Sequence, residues 1–286
     1  MPIYAPTLPP RPEPGQGRHP VLVLARFDLA RILRQKLGRF FGFVFLFVLI
    51  VLVVQLYVNH LLGTRPELAG VRSAAEAFLP QGARFQATLL HPLMISVLWL
   101  QVALVGGGLV ARDTLHRIRP LVYAHPVDPL HYLAAKGLLA AGLPFVVMLP
   151  YVLLPWGLSL AVAGLQGPVW VTAPLRLLPA AGAISLLMGA VALGASSLAG
   201  SPRAGFGWAL GVLLGSSALG GILAGSLGDP RWLALGVGYL AKAWPGLACG
   251  VPEAAGTLPV VLGTVIHILA WTGIALRRTR PSEAVL

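Results

Sequence analysis

An apolar run of about 20 residues, Pro92 to Ala111, is long enough to cross the hydrocarbon core of a bilayer as a helix, and it ends abruptly at Arg112 and Asp113. A short charged segment follows, Thr114 to Tyr123, and then the breaker-rich stretch Ala-His-Pro-Val-Asp-Pro of residues 124–129. The chain turns at Pro126 and Pro129 and re-enters an apolar run just beyond Lys136. Two membrane spans are therefore joined by a compact basic loop.

The same signal recurs along the chain. Apolar runs at about 40–58, 92–111, 137–163, 177–198, 205–227 and 258–276 predict six transmembrane helices and an all-α polytopic membrane protein. Composition agrees: the chain is 57% hydrophobic and only 10% charged, where soluble domains carry about 25% charged residues. Residues 1–20 hold seven prolines and read as a disordered Pro-rich leader, with 21–286 a single membrane domain. From Val21 a helix is expected in which Leu29, Leu33 and Leu37 share an apolar side, with Asp28, Arg31, Arg34 and Gln35 opposite. A basic amphipathic helix of this kind lies in the headgroup layer, apolar side down. Pro144, Pro150 and Pro155 should kink or break the third span. Val71–Leu79 reads as a short helix, and residues 229–253 as an interfacial or re-entrant pair of short helices.

The basic balance, 21 Lys+Arg against 9 Asp+Glu, falls mostly beside and between the apolar runs. That pattern speaks of membrane topology and of no nucleic-acid partner. With six spans, the termini and the even-numbered connections carry 15 basic residues and the other side 6. The positive-inside rule then places both termini and residues 112–136 in the cytoplasm, and the protein in the cytoplasmic membrane.

One stretch carries more than topology. A glycine-bearing span, then Ala111-Arg112-Asp113, a short helix, and "AHPVDPLHYLAAK" resembles the permease subunits of type-2 ATP-binding-cassette (ABC) exporters. Asp113 matches an acidic residue near the end of that family's second span. Pro126, Val127, Tyr132 and Lys136 match its "P-[VIL]-x-x-x-x-Y-x-x-x-K" turn. The resemblance implies that the N-terminal amphipathic helix is the family's elbow helix. It also implies a cytoplasmic coupling helix contacting a separate ATPase, built here from Asp113, Leu115, Arg117, Ile118, Arg119, Leu121 and Tyr123. Two ABC ATPase copies and a second permease copy, identical or related, would be the protein partners. ATP and Mg would sit on the ATPase, and this chain would hold no cofactor.

Chemistry within the chain is sparse. The three lysines, Lys36, Lys136 and Lys242, lie in no Walker A context. No metalloprotease His-Glu-x-x-His or Gly-x-Ser-x-Gly nucleophile motif is present. The lone Cys249 can form neither an internal disulfide nor a zinc site by itself. Gln55, Gln101 and His267 are the polar side chains deepest in the spans and are candidates for a substrate path or for helix–helix bonding. Gly207, Gly211 and Gly215 repeat every four residues on span five and suit close helix packing, within the subunit or between subunits. An ATP-independent secondary transporter or channel is the alternative reading, and it predicts buried charges or an internal repeat. A haem-binding subunit would need paired histidines on facing spans, and only His267 is well placed.

Overall fold

The computed structural model describes residues 20–34, 36–65, 67, 70, 86–87, 89–118, 128–163 and 172–279. Among these every regular element is helical. In chain order they are α1 (Pro20–Arg34), α2 (Lys36–Thr64), α3 (Pro92–Gly106), α4 (Ala111–Leu115), α5 (Pro129–Ala163), α6 (Ala173–Leu198), α7 (Pro202–Leu227), a 3-10 turn (Pro230–Leu235), α8 (Val237–Ala248) and α9 (Thr257–Thr279). Six segments are long and apolar enough to cross a membrane: Gly38–Leu62, Pro92–Leu115, Pro129–Leu158, Thr172–Leu198, Pro202–Leu227 and Thr257–Thr279. Arg119, Leu121, Tyr123, Pro126 and Val127, the expected helix Val71–Leu79, and all of the leader except Pro20 lie outside the described residues.

α6 is the central helix. It is largely buried and packs most extensively on α5 and α9, and further on α7, α8 and α3. Trp99, Met148, Tyr151, Ile184 and Met188 fill the main core around it. The peripheral helices instead point large apolar side chains outward, among them Phe43 and Phe47 on α2, Leu214 and Ile222 on α7, and Ile266 and Leu269 on α9. Dispersed over three helices, this exposed apolar surface is what a bilayer covers.

Three expectations need correction. The third span begins at Pro129, two turns before residue 137, and Pro144, Pro150 and Pro155 leave α5 helical through residue 163. Each proline removes one backbone donor, and the helix continues past all three while packed along α6. The second span does break, at its glycines: α3 stops at Gly106, residues 107–110 form a tightened turn, and α4 resumes. The freed backbone is satisfied from the side. Ser196 Oγ on α6 accepts from the amides of Val110 (2.9 Å) and Ala111 (3.0 Å). The same turn lets α7 approach to backbone contact, because a Cβ on Gly205 would overlap the carbonyl oxygen of Gly107.

The third correction concerns α1. Its buried residues are Ala25, Asp28 and Ile32, while Leu33 is 61% exposed. The helix is thus turned so that its single carboxylate faces inward. Ala25 and Ile32 pack in one cluster with Leu109, Val110, Leu133, Leu193 and Ala275. That cluster gathers α1, the end of the second span, the start of α5 and the ends of α6 and α9 at one end of the bundle. Arg26, Arg34, Lys36, Arg39, Arg117, Arg203, Arg277 and Arg278 are exposed at that end. The far end carries Arg65, Arg176, Arg231 and Lys242, offset by Glu67, Asp229 and Glu253.

Candidate functional site

The site sits at the basic end and is built around one ammonium group. Lys136, two turns into α5, is 3% exposed. Its Nζ lies 2.6 Å from Asp28 Oδ2 on α1 and 2.7 Å from Asp113 Oδ2 on α4. Tyr132, one turn earlier on α5, donates its hydroxyl to the same Asp113 oxygen at 2.8 Å. Tyr132 and Lys136 share a helix face because they are four residues apart, and the ammonium stands 5.3 Å from the ring centroid. Arg31 Nη2 approaches Asp28 Oδ1 at 3.6 Å, adding positive charge at the rim.

Two buried carboxylates and one ammonium make a mutually dependent set. Desolvating each charge is costly, and only close pairing with hydrogen bonds offsets it. Lys136 donates a hydrogen bond to Asp28 and forms a close ion pair with Asp113. Because the three residues come from α1, α4 and α5, these elements cannot separate at this end without exposing a bare charge to an apolar surround. The arrangement is a rigid ionic joint, placed at both roots of the basic loop that begins at Thr114 and ends before Pro129.

Of the candidate site residues read from the sequence that are among the described residues, Asp113 alone reaches this joint. Beside it Leu115 is exposed, and Arg117 is exposed at φ 51°, a left-handed conformation that marks the end of the helical turn. Ile118 is half-buried. Arg119, Leu121 and Tyr123 fall in the segment outside the described residues. In the spans, Gln55 is half-buried, and Gln101 is buried with its Oε1 unbonded among the described residues. His267 Nε2 lies 3.1 Å from the Leu235 carbonyl, so this nitrogen carries the proton and ties α9 to the 3-10 turn. Gly207, Gly211 and Gly215 face open space, with nothing within 4 Å of a Cβ placed on any of them. Glycines that do serve contacts inside the subunit include Gly107, Gly189, Gly194, Gly205, Gly220 and Gly263.

Asp28, Tyr132 and Lys136 complete the joint and were absent from that set. One sequence signal pointed at Asp28: it is the sole acid in a helix carrying Arg26, Arg31 and Arg34. Helical periodicity assigned it to the wet face because a carboxylate is polar, and periodicity cannot see a partner 108 residues away.

The far end is organised by the 3-10 turn and α8, which pack between α6, α7 and α9. The Tyr239 hydroxyl accepts from the Ala255 amide, and Trp244 Nε1 donates to Thr264 Oγ1 at 3.0 Å. An open pocket of about 520 Å³ lies there, lined by residues 228–231 and 253–256. Burial beside Gly246 holds the Glu253 carboxyl above its ordinary value of 4.5. A raised acid favours the folded chain in its protonated form, so this contribution is full below pH 4.5 and lost as pH rises through the folded value. Glu253→Gln should therefore flatten that part of the stability profile, read as thermal midpoints between about pH 4 and 8. An unchanged profile would show that Glu253 titrates alike in both states.

Fold and joint together define a multi-pass helical membrane protein whose one basic end is locked by a buried ionic cluster. No family model matches the chain, and no curated protein matches it.

Proposed function

We propose that this chain is the permease subunit of an ATP-driven type-2 ABC exporter, moving a substrate across the cytoplasmic membrane with a separate ATPase. The observation that carries the reading is convergence. Asp113, Tyr132 and Lys136 belong to the pattern that resembles the family, and they meet in space at hydrogen-bond distance. Spacing alone puts Tyr132 and Lys136 on one face, but it gives Asp113, on another helix, no reason to meet them. On this reading α1 would be the elbow helix and the segment after Asp113 the coupling helix.

The mechanism follows from the joint. Two ATPases closing on ATP would press on the basic loop of each of two permease copies. The loop's roots are Asp113 and the first turns of α5, clamped to each other and to α1 through Lys136. A push is then delivered to the second span, the third span and α1 as one body rather than dissipated in side-chain motion. The basic end faces the cytoplasm by the positive-inside rule. The open glycine face of α7 offers a surface on which a second copy packs closely.

Buried charge also favours a second reading, a proton-coupled secondary transporter, and Asp28, Asp113 and Lys136 supply such charge. Their position weighs against it. Lys136 lies about 10 Å along α5 from its start, at 1.5 Å per residue, and Asp28 belongs to a helix outside the six spans. Coupling sites of secondary transporters sit near the bilayer midplane.

The test is a paired substitution, Leu115→Asp with Ile118→Asp, in the loop segment that would meet the ATPase. The protein should still insert, since both residues lie at or beyond the end of the span. It should no longer co-purify with a Walker-motif ATPase, and its ATP hydrolysis should fall to background, because burying two charges in a contact is strongly unfavourable. An active complex in the paired variant, or uptake driven by an ion gradient without any ATPase, would overturn the proposal.

A further inference from the structure

The ionic joint accounts for one face of α1 only. Ala25, Asp28 and Ile32 turn into the bundle. The opposite face exposes Leu22, Val23, Phe27 and Leu33, with Arg26 and Arg34 exposed between them. No described residue covers it. Asp28 is the single carboxylate of α1 and is spent on Lys136, so the outer face carries positive charge without a counter-charge of its own. Nearby exposed groups are mostly of the same sign: Lys36 and Arg39 open α2, and Arg277 and Arg278 close α9 beside the cluster that holds Ala25 and Ala275, with Asp128 before α5 the exposed acid at this end among the described residues.

Exposed apolar side chains interleaved with arginines suit the boundary between headgroups and acyl chains. α1 leads directly into a membrane span at Lys36, which sets this face at that boundary. The lack of any acid on the face distinguishes an anionic headgroup from a zwitterionic one, whose ammonium or choline group would meet only like charge. We propose that the outer face of α1 is a binding surface for anionic phospholipid, with Phe27 and Leu33 among the upper acyl segments and Arg26 and Arg34 on the headgroup phosphates. The joint gives the surface its selectivity, by removing Asp28 from it and by fixing the rotation of the helix. The inference needs only that the bundle spans a membrane, and it stands apart from the exporter reading.

The experiment uses the full chain with Cys249→Ser and Phe27→Cys, a bimane on the new thiol, and vesicles of phosphatidylcholine and phosphatidylglycerol. Brominated lipid of one class, diluted in the other, quenches the probe according to its occupancy of this face. Each arginine near a charged headgroup is worth about fivefold in affinity. Brominated phosphatidylglycerol should therefore be preferred by about twentyfold at low salt. Arg26→Gln and Arg34→Gln should each reduce the preference about fivefold, as should added salt. A bimane at Leu262→Cys, exposed near the start of α9 at the far end, should show no preference. Equal quenching by both lipids at Phe27→Cys would reduce the surface to plain apolar contact. No quenching by either would mean that protein or water covers it. Both outcomes overturn the proposal.

Discussion

Replacing Lys136 by methionine should destabilise the protein by about 3–5 kcal/mol, the range for removing one partner from a buried ion pair. Methionine fills most of the lysine's volume, so the loss is electrostatic. Without the ammonium, Asp28 and Asp113 are left as two buried carboxylates that were both paired to one nitrogen. The triple variant Lys136→Met, Asp28→Asn, Asp113→Asn should recover most of the loss, since well-packed neutral side chains often replace a buried ionic set without penalty. Thermal unfolding in detergent checks both arms. If Lys136→Met melts with the parent, the joint carries no net stability. The triple variant also separates structure from coupling: if the joint transmits the ATPase stroke, it should fold well and yet transport poorly.

The second large effect is steric. Gly205→Val should destabilise by about 3 kcal/mol or more, the upper range for overpacking, because its Cβ would enter the space of the Gly107 carbonyl. The neighbour there is backbone, held by the turn that Ser196 caps, and it has no rotamer into which to retreat. Gly211→Ala, on the same helix, meets nothing within 4 Å and should be neutral or slightly stabilising in the isolated subunit, since alanine has the better helix propensity. The pair is compared by melting temperature at matched detergent. Equal melting would mean that α7 does not cross the second span at Gly107. Should Gly211→Leu split a dimer while Gly211→Ala melts normally, the open face of α7 is the surface between copies.

Much of this architecture was legible from residue order. A 20-residue apolar run in lipid has one local solution, a helix that pairs its own backbone, so the number of spans can be counted. The third span hid its first two turns because His131, Tyr132 and Lys136 interrupt the apolar pattern. These are the residues that serve the joint or border it, so the hydropathy signal failed where the site begins. For a related reason, the prolines of α5 do not break the helix. A proline's local preference is to end a helix, and packing along α6 outweighs that preference. The glycine repeat on α7 drew attention to Gly207, Gly211 and Gly215, whereas the close crossing is made by Gly205 and Gly107. A repeat is visible in one segment, and a crossing needs two.

What the sequence determined by itself is the solvent of each segment. Six apolar runs, the basic connections between them and the turn pattern ending at Lys136 are properties of short windows, and short windows suffice because lipid acts on each helix separately. The tertiary structure decided which polar groups are buried together. Asp28, Asp113 and Lys136 are 85 and 23 residues apart along the chain, and their pairing depends on how α1 rotates against α5 and where the glycine turn aims α4. Those rotations are set by packing among Ala25, Ile32, Leu133 and Ala275, contacts between distant segments that no single window contains.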